Sequence, residues 1–278
     1  MPKVIIVGCG FLGEAAADLF FATGWEVLGL CASEDSAARL AAKPWTVRVQ
    51  DITQAVPVST DWQNVDALVH AVSSGGGEAS DYRKIYLEGL LNGIHTFRPR
   101  RCLFVGSTSV YAQTDGGWVE ETSETRPDRE TGKVLLEAEN VALASGGYVA
   151  RLGGLYGPGR SVLRKRFLSG SAVLEGDGAR WINQIHRDDA ARAIRHLLIH
   201  QASPGVYNVC DNTPATQRTI YGWLADATGQ ALPPEGEINP DRKRGRTNKR
   251  VRNVKLRETG WAPIFPSYEA ALADPDAL

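Results

Sequence analysis

Val4-Ile5-Ile6-Val7-Gly8-Cys9-Gly10-Phe11-Leu12-Gly13 decides how the first half of this chain is read. A β-branched run closed by a glycine reads as a buried strand. Phe11 to Ala22 then carries apolar residues at helical spacing and stops near Gly24. Between strand and helix lies G-x-G-x-x-G, and each glycine has its own task. Gly8 permits the tight turn, Gly10 leaves the backbone bare for a diphosphate, and Gly13 lets helix and strand pack closely. The helix start at Phe11 and Leu12 adds backbone N–H groups and a partial positive charge. Three turn glycines by chance are the competing reading. The strand before them and the helix after them favour a phosphate loop.

Outward from this loop the pattern repeats. Glu26–Leu30, Thr46–Val49, Ala67–His70, Cys102–Val105 and Tyr148–Leu152 read as further strands. Helical stretches from Ser33, from about Asp81 to Phe97, and from about Thr131 to Ala144 lie between them. Alternating strand and helix predicts an α/β fold, a doubly wound parallel Rossmann sheet. Asp188–Ile199 reads as a helix and Val206–Val209 as one more strand. The expected Rossmann domain covers 1–155, with 183–212 returning to it. Residues 156–182 and 213–278 are expected to form a smaller C-terminal substrate lobe.

The chain has 278 residues, 43% of them hydrophobic, enough for one large domain or a domain with a smaller lobe. Its formal net charge of -1 argues against a polyanion binder, so nucleic acid is not the expected partner. Cys9, Cys31, Cys102 and Cys210 form no C-x-x-C pair and read as buried free thiols. No His, Asp or Glu spacing points to a metal. The apolar run at the N-terminus is too short for a signal peptide, and no stretch approaches a membrane span. A soluble, cytoplasmic protein is expected.

In dinucleotide sites the second strand usually ends in an acid that grips the adenosine ribose. Here it ends Leu30-Cys31-Ala32-Ser33, and Glu34 comes late. Ser33 reads as a helix N-cap and is also a cofactor-binding candidate. Glu34 reads as a first-turn residue. No Arg marks a 2′-phosphate, so the cofactor is NAD or NADP. His70 reads as a core histidine, and His186 as a cap beside Asp188 and Asp189. Arg242 to Arg252 is a basic run without interleaved aromatics, which weakens a single-strand stacking platform.

The chain resembles the extended short-chain dehydrogenase/reductase superfamily, the nucleotide-sugar epimerase and dehydratase group. The resemblance rests on Gly8–Gly13, Asp51-Ile52, Val69-His70-Ala71, Ser107-Thr108-Ser109-Val110-Tyr111, Arg151 with Tyr156-Gly157-Pro158-Gly159, and Ile185-His186-Arg187-Asp188-Asp189. It implies that Asp51 and Ile52 sit at the adenine, that Ala71 lines the cofactor cleft, and that the basic run meets an anionic substrate in the C-terminal lobe. In that family a Ser or Thr orients the substrate oxygen, and a Y-x-x-x-K pair moves the proton and holds the nicotinamide ribose. The Ser falls at Ser107 and the Lys at Lys133. The Tyr position is Arg129, which cannot shuttle a proton because it stays protonated. The chain is therefore identified as an atypical member. Tyr111, the nearest tyrosine to Ser107, is a candidate for proton transfer, with plain packing as the competing reading.

The resemblance implies an NAD(P)-dependent oxidoreductase or epimerase acting on a small polar substrate, such as a nucleotide-sugar, and a homodimer formed through two helices. A second reading, motivated by Arg129, is a non-catalytic NAD(P)-binding sensor.

Overall fold

The computed structural model describes residues 1–54, 60–200, 202–237 and 247–278. Seven strands make one sheet: β1 (Lys3–Val7), β2 (Glu26–Cys31), β3 (Thr46–Val49), β4 (Ala67–His70), β5 (Arg101–Ser107), β6 (Tyr148–Leu152) and β7 (Gly205–Val209). Their order is β7-β6-β5-β4-β1-β2-β3. β1 pairs in parallel with both β2 and β4. The winding therefore reverses direction at β1 and β4, and that reversal opens a crevice at the strands' carboxyl ends. Val4, Ile5, Ile6 and Val7 are all buried, as a central strand covered on both faces requires.

Among the described residues the α-helices are α1 (Phe11–Ala22), α2 (Glu34–Ala38), α3 (Ala79–Tyr82), α4 (Gly89–Phe97), α5 (Glu130–Ala144), α6 (Val162–Leu168), α7 (Arg187–Ile199), α8 (Gln217–Thr228), α9 (Val254–Glu258) and α10 (Tyr268–Leu272). The strand expectations hold to within two residues or so. α1 has the bounds its spacing predicts, and Ser33 caps α2 by accepting from the Ser36 amide at 3.3 Å.

The single helix expected over about Asp81–Phe97 is a correction. It begins earlier, at Ala79, on a capping box between Glu78 and Asp81. Arg83–Glu88 then forms a π turn before α4. Apolar periodicity does not reveal that wider turn, because its cause is tertiary. Bare Gly89 lies against Ile52 and His70, where a Cβ would come within 2.9 Å of Ile52 Cγ2. Within the π turn the Ile85 carbonyl accepts a hydrogen bond from His70 Nε2 at 3.0 Å.

His70 is thus the core histidine the sequence suggests. Burial is the first cause of its lowered pKa, which falls from 6.5 to about 4. Below pH 6.5 the unfolded chain takes up a proton that the folded chain refuses until about pH 4. Stability should therefore fall as pH drops through that window, by up to about 3 kcal/mol. His70→Gln keeps an N–H for Ile85 and should flatten this slope. Urea unfolding at pH 7, 6, 5 and 4 checks it, and parallel curves for both proteins would refute it.

The chain divides into two compact units. The first comprises Met1–Val110, Arg126–Arg151 and Ala190–Tyr207, and the second Tyr111–Thr125, Leu152–Asp189 and Asn208–Leu278. The second unit has its own core, with Tyr156, Phe167, Leu174, Ile220, Tyr221, Leu224 and Tyr268 packed together. Short strand pairs knit it, among them Gly154–Tyr156 with Gln184–His186 and Trp118–Val119 with Arg250–Val251.

Candidate dinucleotide and active site

The Gly8–Gly13 loop leaves β1 at the reversal of the sheet. The amides of Gly8 and Cys9 both donate to the Leu30 carbonyl, at 3.0 and 3.1 Å, which ties the loop to the end of β2. Gly8 has φ +90, the left-handed region that favours glycine. A Cβ there would lie 2.8 Å from Val72 Cα and 2.9 Å from the Ala71 carbonyl oxygen. Ala71 is held in turn by its amide bond to Val7 O at 2.8 Å. A Cβ on Gly13 would lie 2.2 Å from the Gly8 oxygen, so α1 packs against the loop with no space left.

Gly10 differs from both. It is the N-cap of α1, it is exposed, and a Cβ on it would meet nothing within 4 Å. Above Gly10 the bare backbone faces open space beside first-turn N–H groups that a helix cannot satisfy internally. A diphosphate fits that space, so the residues present suit a dinucleotide.

Around the loop, Ile52 is buried and its carbonyl accepts from Asn92 Nδ2 at 2.9 Å. Exposed Asp51 accepts from the Thr53 amide at 2.9 Å, which fixes the turn after β3. Ser107 ends β5 and its Oγ accepts from the Ser109 amide at 3.1 Å. α5 packs along β5 and along the 3₁₀ turn Thr108–Val110 that follows Ser107. Arg129 is the N-cap of α5, and its carbonyl accepts from the Lys133 amide at 3.2 Å. Arg129 and Lys133 therefore stand one turn apart at the exposed start of α5. Lys133 Nζ lies 2.6 Å from Glu130 Oε1.

Tyr111 stands differently. Its side chain is fully buried, and its hydroxyl donates to Asn208 Oδ1 at 2.9 Å, within the second unit. Burial and the bond to Asn208 favour the packing reading of Tyr111 over proton transfer. His186 is also structural. Its Nδ1 accepts from the Asp188 amide at 3.2 Å, and its Nε2 donates to Ala277 O at 2.9 Å. Buried Asp189 accepts from the amides of Ile264 and Phe265 at 2.6 and 2.9 Å.

Of the basic run, Arg242–Arg246 lie outside the described residues, and Lys249 does not face solvent. It is buried and bonds the Tyr111 carbonyl and Thr247 Oγ1, each at 2.8 Å, and burial lowers its pKa to about 8. Aromatics absent from the run in sequence join it in space. The Arg250 guanidinium lies 4.8 Å from the Trp118 ring and 5.0 Å from the Trp181 ring, and Arg252 lies 5.2 Å from Trp118. Among the described residues no cluster of His, Cys, Asp and Glu could hold a metal. No described helix is long and apolar enough to cross a membrane.

One buried ion pair has no signal in the sequence pattern. Arg151 of β6 and Glu139 of α5 form a buried, two-pronged pair in the first unit, with Nε–Oε1 at 2.9 Å and an Nη2–Oε2 contact at 2.6 Å. Glu139 sits mid-helix among residues read only as periodic, so nothing local marked it.

A doubly wound sheet with a bare diphosphate loop at its reversal defines a Rossmann-type dinucleotide-binding protein. Within that class the chain belongs to the NAD dependent epimerase/dehydratase family, which it matches over residues 4–210, and NAD binding comes with that membership. It is 30% identical to Protein YeeZ of Escherichia coli (strain K12) over 256 residues, 88% of this chain and 90% of YeeZ. Among solved structures it is similar to a functionally unknown conserved protein from Silicibacter pomeroyi, at 25% identity and TM-score 0.79, over 98% of this chain and 97% of that one. It also shares the fold of UDP-glucuronic acid 4-epimerase from Bacillus cereus, solved with UDP-glucuronic acid and NAD, at 16% identity and TM-score 0.80, over 99% of this chain and 97% of that one.

Proposed function

We propose that the chain is an NAD(P)-dependent oxidoreductase or epimerase acting on a small polar substrate, with a nucleotide-sugar as the substrate class. The observation that carries this reading is the combination within one unit of the open diphosphate cradle at Gly10 with the Ser107 turn and the helix α5 that packs along it. The epimerase from Bacillus cereus that shares this fold holds a UDP-sugar, and that supports the substrate class.

The first-turn amides of α1 would hold the diphosphate, with Asp51 and Ile52 at the adenine, Ala71 lining the cleft and Ser33 near the adenosine ribose. Lys133 would donate to the nicotinamide ribose hydroxyls once it leaves Glu130. When bound, NAD(P) supplies the hydride acceptor or donor. Ser107 Oγ–H would donate to the substrate oxygen and orient it. A guanidinium offers donors and no acceptor, so Arg129 would stabilise a developing oxyanion and would not accept a proton.

The test follows absorbance of the reduced nicotinamide across carbonyl, hydroxyl and nucleotide-sugar substrates. At least one should give turnover, and Ser107→Ala should lower kcat/KM about 10²-fold while cofactor affinity stays unchanged. Equal turnover by Ser107→Ala would remove Ser107 from the chemistry.

Arg129 favours a second reading, a non-catalytic NAD(P)-binding sensor. In that case the whole panel stays silent while NAD still binds, and Arg129→Tyr gains redox activity. Turnover by the unaltered protein ends this reading.

A further inference from the structure

Seven cations and no acid lie between Arg242 and Arg252, in a chain whose formal net charge is -1. The whole-chain charge is an average, and it conceals this local excess. The described end of the run, Thr247–Arg252, is built into the second unit. The Arg250 amide donates to Gly117 O at 2.8 Å and the Arg252 amide to Val119 O at 2.9 Å, which fastens this stretch beside Trp118–Val119. A strand sends alternate side chains to opposite faces. Lys249, Val251 and Asn253 are buried on one face. Arg250 and Arg252 belong to the other, where Arg250 is half-buried and Arg252 exposed.

Arg250 is held as a prepared donor. Its Nε donates to Gly116 O at 2.8 Å, and its guanidinium lies against both the Trp118 and the Trp181 ring. Trp181 is fixed in turn. Its amide donates to Asn248 Oδ1 at 2.9 Å, and its ring packs on bare Gly116, where a Cβ would come within 3.4 Å. Arg252 reaches the Trp118 ring as well. Among the described residues neither guanidinium pairs with an acid, and the Nη nitrogens of Arg250 have no partner. Asp115, in the adjoining turn, accepts from the Gly117 amide instead, at 2.9 Å. Two like charges on one strand face repel, and anions seated on their forks would relieve that. Trp118 meanwhile leaves 46% of its surface in water, which a flat ring could cover.

We propose that Trp118, Trp181, Arg250 and Arg252 form a binding face for single-stranded nucleic acid, with the guanidiniums on neighbouring phosphates and a base on the open surface of Trp118.

The chemistry favours a single strand over other polyanions. Each arginine fork matches a phosphate bidentately. An extended strand can set its phosphates to the repeat of alternate β-strand side chains, roughly 6.6 Å, whereas a duplex holds them in a fixed helix. Only an unpaired base can leave its neighbours and lie on an indole. An acidic peptide or a polyphosphate would use the cations and leave Trp118 in water. The sequence places no aromatic within the basic run, and the fold supplies two from elsewhere in the chain. The face belongs to the second unit and the Gly8–Gly13 loop to the first, so the inference does not rest on the proposed turnover.

The test measures fluorescence anisotropy of a short labelled oligouridylate with the full chain, from about 50 to 200 mM salt. A duplex of the same length and an inorganic polyphosphate are the comparison probes. The single strand should bind about tenfold tighter than either and quench tryptophan fluorescence. Arg252→Ala should reduce the slope of log affinity against log salt by about 0.7, the share of one phosphate contact. Trp118→Ala should weaken binding about tenfold and leave that slope unchanged, while Trp118→Tyr retains most of the affinity. Both side chains are exposed, so thermal melts should match the unaltered protein. Saturating NAD should leave oligouridylate affinity as it was. The proposal is overturned if the single strand does not bind at the lowest salt, or if duplex or polyphosphate binds as tightly. It is equally overturned if Trp118→Ala binds as well as the unaltered chain, or if NAD displaces the strand.

Discussion

Gly10→Asp is expected to abolish dinucleotide binding while leaving the fold intact or slightly more stable. The backbone at Gly10 has φ -88, which any L-residue can adopt, and a side chain there meets nothing within 4 Å. Gly10 is also the N-cap of α1 and has no side-chain cap. An aspartate there can accept from the first-turn amides and add roughly a few tenths of a kcal/mol to the helix relative to glycine. Those amides are the ones a diphosphate would use. A carboxylate about 4 Å from one phosphate charge, at an effective dielectric near 20, costs about 4 kcal/mol, or on the order of 10³ in affinity. Gly13→Ala makes the contrast. Its Cβ would sit 2.2 Å from the Gly8 oxygen, so α1 must separate from β1 and thermal stability itself should fall. Calorimetry with oxidised and reduced NAD and NADP, set beside thermal melts, distinguishes the two effects. A Gly10→Asp protein that binds NAD as tightly as the unaltered chain would show that the cofactor does not lie over Gly10.

That contrast also shows what could be read from the sequence. Short apolar runs and helical spacing are local signals, so β1, α1, β3, β4 and β6 appear where the pattern puts them. The loop was legible because its three glycines fall between such signals. The π turn at Arg83–Glu88 was not, since it depends on what bare Gly89 touches, Ile52 and His70. The second unit was read only coarsely. Its strand pairs are two or three residues long and join distant segments, such as Trp118 to Arg250, so no local period records them. The same reason hid the stacking of Trp118 and Trp181 on Arg250, and the burial of Lys249 within the basic run. Cys9 and Cys31 each read correctly as buried free thiols. Around the candidate chemistry, the sequence located the turn at Ser107 and the helix of Lys133. It left open what Tyr111 does, and could not show that its hydroxyl reaches Asn208, 97 residues further on.

The other large effect is expected at Arg151. Replacing it with Met should destabilise the chain by about 3–5 kcal/mol, because Glu139 then remains buried as an unpaired charge. The two side chains are 5% and 3% exposed, and water cannot take over the role of the guanidinium. Glu139 Oε1 also lies beneath Gly106 of β5, where a Cβ would come within 3.3 Å of it. The pair therefore fixes the distance between α5 and the strand end that carries Ser107. Arg151→Met should lower the melting temperature by about 10 °C and blur the register of Lys133 against the Ser107 turn. Removing the second charge as well, in Glu139→Leu with Arg151→Met, should recover most of the stability, since a buried ion pair contributes little net energy over well-packed apolar groups. Stability and position can then be told apart. If the double variant melts near the unaltered protein but turns over poorly, the pair holds the site in place. If it melts as low as Arg151→Met alone, the loss comes from packing around the arginine stem, and the unpaired carboxylate is not its cause.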